Sequence, residues 1–397
     1  MNPSSSGWIE KFGHLASRHA EPFDDFGQLY QALRKLGFSY GMNIGIPSFI
    51  DPAHKLTQDE YAKLNLLYGL YATYQLRNRT VRFNYFLESV FNFYKDLEVG
   101  RINFLQKILS GKKTSSQLEK LLDSRIYLEA NMLSKTFNSI ITNSLLFVDV
   151  LTYKHYLDGH QQLRLYARNL EFVTINITSQ ALGSKKKNPT DERLRELFRS
   201  SITYMEDQEA EPDLSYRAML EDYRGTGAAR YFLDVACLTV WEDGNLEFRE
   251  SDFVFLLGEE LGLDREYVRQ ALEDVTRFFG SHAGEISVLN DGRFYDGMSQ
   301  VVNKLIRRNS KRLQNELSQS RELMYLLSKS TVRELTEEEK RKVQEQLVDI
   351  FKSIPSLAIF LLPGGAVLLP MFISLIPRLL PSSFDENRVD PEEELEK

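Results

Sequence analysis

FNYFLESVFNFYKDL, residues 83–97, sets Phe83, Phe86, Val90, Phe93 and Leu97 at intervals of three and four, the spacing that gathers apolar side chains on one helix face. Upstream, Leu64, Leu67, Tyr68 and Tyr71 repeat it. Downstream, long helices are expected within Ser115–Leu157 and Gln161–Leu182. Alternating, strand-like runs are scarce, so the expected fold class is all-α. Between Gly37 and Pro52 the pattern stops at Gly41, Gly45 and Pro47, which read as a loop.

The 397 residues, 42% of them apolar, can bury two or three cores. A net charge of -7 gives no global basic field, and nucleic acid is not an expected partner. A single cysteine, Cys237, excludes an internal disulfide and any Cys-rich zinc module. Met1 to Glu10 is polar, with Ser4, Ser5 and Ser6 and no apolar run of the secretory kind, so the N-terminus is expected in the cytoplasm.

Punctuation divides the chain into three expected domains, residues 1–210, 211–325 and 326–397. The break at Gly183 to Pro189 precedes a helix capped by Thr190 or Asp191, and the acidic stretch Glu206 to Asp213 reads as a linker. Beyond it, Ala228–Trp241 reads as an apolar helix stopping at Asp243-Gly244, and a second from about Glu250 ends at Gly262. A third, opened by Leu263-Asp264, puts Val268, Ala271, Leu272 and Val275 on one face. One long polar helix is expected from Gly297 to Ser328, and another starts at Leu335-Thr336-Glu337-Glu338-Glu339.

Between Ser353 and Pro377 there is no charged residue. Leu357–Ile376 alone would reach about 30 Å as a helix, the depth of a bilayer's hydrocarbon. Pro355, Pro363, Gly364, Gly365, Pro370 and Pro377 interrupt it, because each proline removes an amide donor and paired glycines loosen a helix. Three forms compete: a kinked span or re-entrant hairpin in lipid, a hairpin buried against the other helices, and an element lying on the membrane surface.

The order of residues here resembles the LETM family of inner-membrane proteins. Leu335, Thr336 and Glu339 match its Leu-Thr-x-x-Glu helix start, and Asp349, Lys352 and Pro355 match its Asp-x-x-Arg-x-x-Pro step with lysine for arginine. Pro363, Leu369 and Pro370 follow its Pro-x-x-Glu-x-x-Leu-Pro, Ile376-Pro377 its Phe-Pro, and Leu380-Pro381-Ser382-Ser383-Phe384 its Leu-Pro-Ser-Thr-Phe. The resemblance covers about Arg321 to Phe384 and implies membrane association, at a bacterial inner membrane with the bulk of the chain cytoplasmic; a soluble cytoplasmic protein is the alternative. Ala366 stands where the family has an intramembrane glutamate, which argues against cation/proton exchange. Only thirteen residues follow Phe384, so ribosome binding through a large following domain is not expected. Residues Tyr231 to Phe279 resemble the TerB-like helical domain, which implies a cation among acidic side chains.

Asp243, Glu247, Glu250 and Asp252 would be those side chains, with calcium the hard cation such oxygens take; helix capping explains the same residues without metal. EF-hand spacing is absent. Lys304, Arg307, Arg308 and Lys311 fall on one helix face and could rest on anionic lipid headgroups or pair with neighbouring acids. His155 and His160, five apart, and His14 and His19 lack the spacing of a zinc pair on one helix face. No phosphate loop or nucleophile elbow occurs, and no catalytic residue or cofactor is expected. The expected role is a non-enzymatic, membrane-associated LETM-like scaffold or envelope- and biofilm-related factor, with membrane lipid and a protein partner or second copy as its contacts. A membrane cation/proton transporter, or a regulator of one, is the alternative.

Overall fold

Short polar signals start several of the helices. Asp25 accepts the Gln28 amide at 2.9 Å, and Thr57 and Glu60 cap reciprocally, each side chain accepting the other's amide at 3.3 and 2.9 Å. The computed structural model describes residues 1–19, 22–52, 54–78, 82–97, 114–126, 144–184, 192, 195–198, 215–241, 248–281, 302–303, 306–307, 309–330, 333, 335–353, 357 and 369–379. Among them there is no strand; the chain is all-α. In order come α1 (Trp8–His19), α2 (Phe26–Lys35), α3 (Gln58–Arg77), α4 (Phe83–Asp96), α5 (Ser115–Ile126), α6 (Phe147–Leu157), α7 (Leu163–Ser184) and α8 (Ser215–Met219). A 3₁₀ turn, Leu220–Tyr223, leads to α9 (Gly227–Val240), α10 (Phe248–Glu260), α11 (Arg265–Ser281), α12 (Ser310–Ser318), α13 (Arg321–Lys329), α14 (Glu337–Ser353) and α15 (Leu369–Leu379).

Helices α3, α6, α7 and α9 form the centre. α9 lies along α7, α7 along α6, and α6 along α3. They are covered on nearly every side: Leu64 to Thr73 of α3 and Tyr231 to Val240 of α9 are buried without interruption. Such helices must satisfy their own polar side chains. The hydroxyls of Thr73, Thr152, Thr174, Thr178 and Thr239 each donate to the carbonyl four residues back, at 2.6–2.9 Å. Gly69 allows α3 and α6 to approach, since a Cβ there would stand 3.0 Å from Val150.

The outer helices present one buried face each. α1 and α5 lie on one side, with the Glu119 carboxylate of α5 accepting the Gly7 and Ile9 amides where α1 begins. α2 rests on α3 and α9, and α10 and α11 cover α9. Helix α9 therefore packs on elements that precede the acidic stretch 206–213 as well as those that follow it.

Two expected helices divide. The span Ser115–Leu157 holds α5 and α6, with residues 127–143 outside the described set. The expected Gly297–Ser328 helix breaks at Ser320, whose extended backbone (φ −118°, ψ 97°) and hydroxyl, accepting the Leu323 amide at 3.2 Å, start α13 afresh. Gly262 does end α10, with φ +70° and the Leu263 amide returning to the Gly258 carbonyl at 2.8 Å.

Outer and central helices are also joined by charge. Arg125 of α5 and Asp149 of α6, whose side chains are each 1% exposed, meet in a bidentate pair, with Nε to Oδ2 at 2.9 Å and Nη2 to Oδ1. The Tyr94 hydroxyl of α4 adds a third donor to Oδ2 at 2.8 Å. Truncating one partner strands the other charge away from water. Arg125→Met is expected to cost about 3–5 kcal/mol in urea unfolding, while Arg125→Met with Asp149→Leu costs less than the single change because no charge is left uncompensated.

Candidate functional site

Besides the Asp149 cluster, two places among the described residues gather polar chemistry: a buried cluster on α9 and the start of α14. At the first, α9 carries Asp234 into the core, where it is 1% exposed. Its Oδ2 accepts from the Tyr30 hydroxyl at 2.5 Å and lies 2.9 Å from Arg34 Nε. Tyr30 and Arg34 stand one turn apart on α2, which aims both at the same carboxylate. Arg34 Nη1 continues to Asp274 Oδ2 of α11 at 2.7 Å, and its guanidinium lies 5.6 Å from the Tyr40 ring centre. Burial pushes the Asp234 carboxyl up, against the pull of Arg34 and Tyr30. Burial opposes the charge on Arg34, but Asp234, Tyr40, Tyr30 and Asp274 together outweigh it and keep the guanidinium protonated. Cys237 is enclosed beside them, with its thiol pushed well up by burial and then by Asp234, the opposite of an activated nucleophile. The arrangement clasps α2, α9 and α11 together.

The second place is the Leu-Thr-x-x-Glu motif. Thr336 Oγ1 accepts the Glu339 amide at 3.3 Å and Glu339 Oε2 accepts the Thr336 amide at 2.8 Å, so the motif is a capping box that starts α14. Glu339 Oε1 also receives Arg333 at 2.8 Å and Lys329 at 3.2 Å, which ties this start to the end of α13. The Thr336 amide, then Arg333, holds the Glu339 carboxyl down to about 2. Leu335 is buried.

Around that cap four short helices share a small core. Leu313 and Leu317 of α12, Leu323 and Leu327 of α13, and Val343, Leu347 and Phe351 of α14 are buried. α15 supplies Met371, Phe372 and Ile376, and the Phe351 and Phe372 rings meet edge-on at 4.9 Å. Pro370 falls in the first turn of α15, where its missing amide costs nothing, and Pro377 lies near its end. Pro355, Pro363, Gly364 and Gly365 lie outside the described residues. No helix among the described residues is long and apolar enough to cross a membrane.

The other sequence-selected residues are not gathered into one site. Asp243 and Glu247 lie outside the described residues; Glu250 falls in α10, and Asp252 is exposed in the same helix. No metal-holding group of three or more side chains occurs among the described residues. Of the basic stripe, Arg307 and Lys311 are exposed, and Lys304 and Arg308 lie outside the described set. Sequence reading missed the Asp234 cluster, since an aspartate, an arginine and a tyrosine spread over 204 residues carry no local pattern.

The family model described as "LETM1-like, RBD" matches residues 335–397, from the first residue of the capping motif onward. Over that region the chain is LETM-related. The matched residues include α14 and α15 themselves. The TerB-like resemblance of residues 231–279 has no counterpart among the matches. No curated protein and no solved structure matches.

Because the LETM-related motif starts a helix, its loss should show in stability. Thr336→Ala is expected to cost about 1 kcal/mol in thermal or urea unfolding. Glu339 is depressed on folding, so its contribution is complete above the ordinary carboxylate value of 4.5 and disappears as pH falls towards about 2. A Glu339→Gln variant is expected to flatten that part of the stability profile.

Proposed function

We propose that the protein is a non-enzymatic, LETM-related scaffold standing at a membrane, with its helical body on the cytoplasmic side and its C-terminal apolar stretch turned back as a hairpin. The LETM1-like match over residues 335–397 supports the membrane part of this reading, and the covering of α15 supports the hairpin. Its apolar side chains Met371, Phe372 and Ile376 are buried, with Phe372 against Phe351 of α14, and α15 packs on α13. Eleven residues of helix measure about 16 Å, roughly half of the hydrocarbon depth, so a straight crossing would need α15 both longer and stripped of this packing.

Charge supports the same orientation. Lys340, Arg341, Lys342 and Lys352 precede the uncharged stretch, and the more basic flank stays on the cytoplasmic side. Membrane lipid and a protein partner, a second copy of the chain included, are the contacts such a scaffold would make. Ala366 weighs against the alternative of cation/proton exchange, because no carboxylate stands at that position to carry the proton.

Cellular topology tests the proposal. The full chain expressed in bacterial cells is expected to remain with carbonate-washed membranes. With Cys237→Ala and Leu395→Cys, a membrane-impermeant maleimide is expected to label the tail only after spheroplasts are opened. Labelling of intact spheroplasts would establish a single crossing and reject the hairpin; recovery in the carbonate supernatant would reject integral attachment.

A further inference from the structure

The corner between α6 and α7 joins two histidines that sequence spacing keeps apart. α6 ends at Leu157, Gly159 turns the chain at φ +86°, and the His160 amide returns to the His155 carbonyl at 3.3 Å. Gln162, just before α7, has φ +59°, a left-handed conformation that a residue with a side chain adopts only at a cost. The turn lays the His160 ring on His155 at 4.2 Å between centroids and 14° between planes, and His155 on Tyr166 at 3.7 Å and 1°. Tyr166 in turn lies 6.1 Å from Tyr223, in the turn that leads to α9.

This geometry argues against a shared metal ion. Ring nitrogens direct their lone pairs in the ring plane, so parallel stacked imidazoles point side by side, whereas a metal at about 2.0–2.1 Å needs them to converge. Stacking suits two neutral rings, or one imidazolium against neutral neighbours. The charged and titratable groups facing the stack are Lys154 and Asp158, tied to each other at 2.6 Å, then Tyr166, with Tyr223 and Asp222 behind it. Asp158 is already engaged by Lys154 and is a poor counter-ion for two imidazolium groups.

We propose that the His155–His160 stack is a proton sensor: with at most one proton the rings close the α6–α7 corner, and a second proton sets two cations 4.2 Å apart and opens the turn, releasing Gln162 from its strained conformation and uncovering Tyr166 beside Tyr223. The direction agrees with the surroundings. Burial, then His160, lowers the pKa of His155 below its ordinary 6.5. The closed corner therefore binds protons less readily than the open one; its stability is complete above 6.5 and falls as pH drops through that value.

The test uses the full chain with isotope-labelled histidine. In NMR titrations His155 is expected to have a lower midpoint than the ordinary 6.5, and His160→Gln, at an exposed position, is expected to raise it. Limited proteolysis at residues 158–162 is expected to quicken between about pH 7.5 and pH 5, by up to about tenfold per pH unit for each proton taken up on opening. His155→Gln with His160→Gln should abolish that rise while leaving helical circular dichroism unchanged. Equal, independent midpoints for the two histidines, or a cleavage rate indifferent to pH, would overturn the proposal. So would cleavage that rises only with loss of the whole helical signal.

Discussion

Two buried carboxylates constrain this fold more than any other feature. Asp149 on α6 and Asp234 on α9 are each held by one arginine and one tyrosine brought in by outer helices: Arg125 and Tyr94 for the first, Arg34 and Tyr30 for the second. Apolar packing would accept several rotations of α2, α4 and α5 against the centre. A carboxylate accepts few, because an arginine withdrawn from it strands charge in a dry interior. The ion pairs thus add selectivity more than net stability, and the central helices can be apolar on all sides without losing their orientation. Threonines that bond to their own backbone complete the arrangement by placing no polar demand on neighbours.

The C-terminal helices follow a different rule. No fully buried ion pair is described there; a polar cap joins α13 to α14, and a cluster of leucine and phenylalanine side chains joins α12 to α15. The described residues of the LETM-related match are thus organised by a helix start and a few apolar contacts. A motif defined by threonine and glutamate three apart has a sufficient local reason to exist, which is the capture of two orphan amides.

Helices were legible where one face is apolar and a cap is polar. The stripe of Phe83, Phe86, Val90 and Phe93, the cap at Asp264 and the stop at Gly262 all stand as their spacing indicates, with the Tyr267 amide donating to Asp264 at 2.7 Å. Less legible were α1 and α2, near an N-terminus that reads as polar although Trp8, Ile9 and Phe12 are buried. The break at Ser320 was hidden because a capping serine inside a polar run looks like any other solvent-facing residue. Tertiary chemistry was not legible at all: His155 and His160 stack only because Gly159 turns the chain, and Arg34 meets Asp234 only after the intervening helices have formed.

The central position of α9 has a consequence for synthesis. Tyr30 and its partner Asp234 are 204 residues apart, and α9 fills the space between α2 and α7. A growing chain on the ribosome exposes the apolar faces of α2 and α7 on which α9 packs before α9 itself has emerged. At about 5–20 residues per second that interval lasts seconds, long compared with helix formation or collapse. Until then those faces of α2 and α7 have no segment of their own chain to cover them.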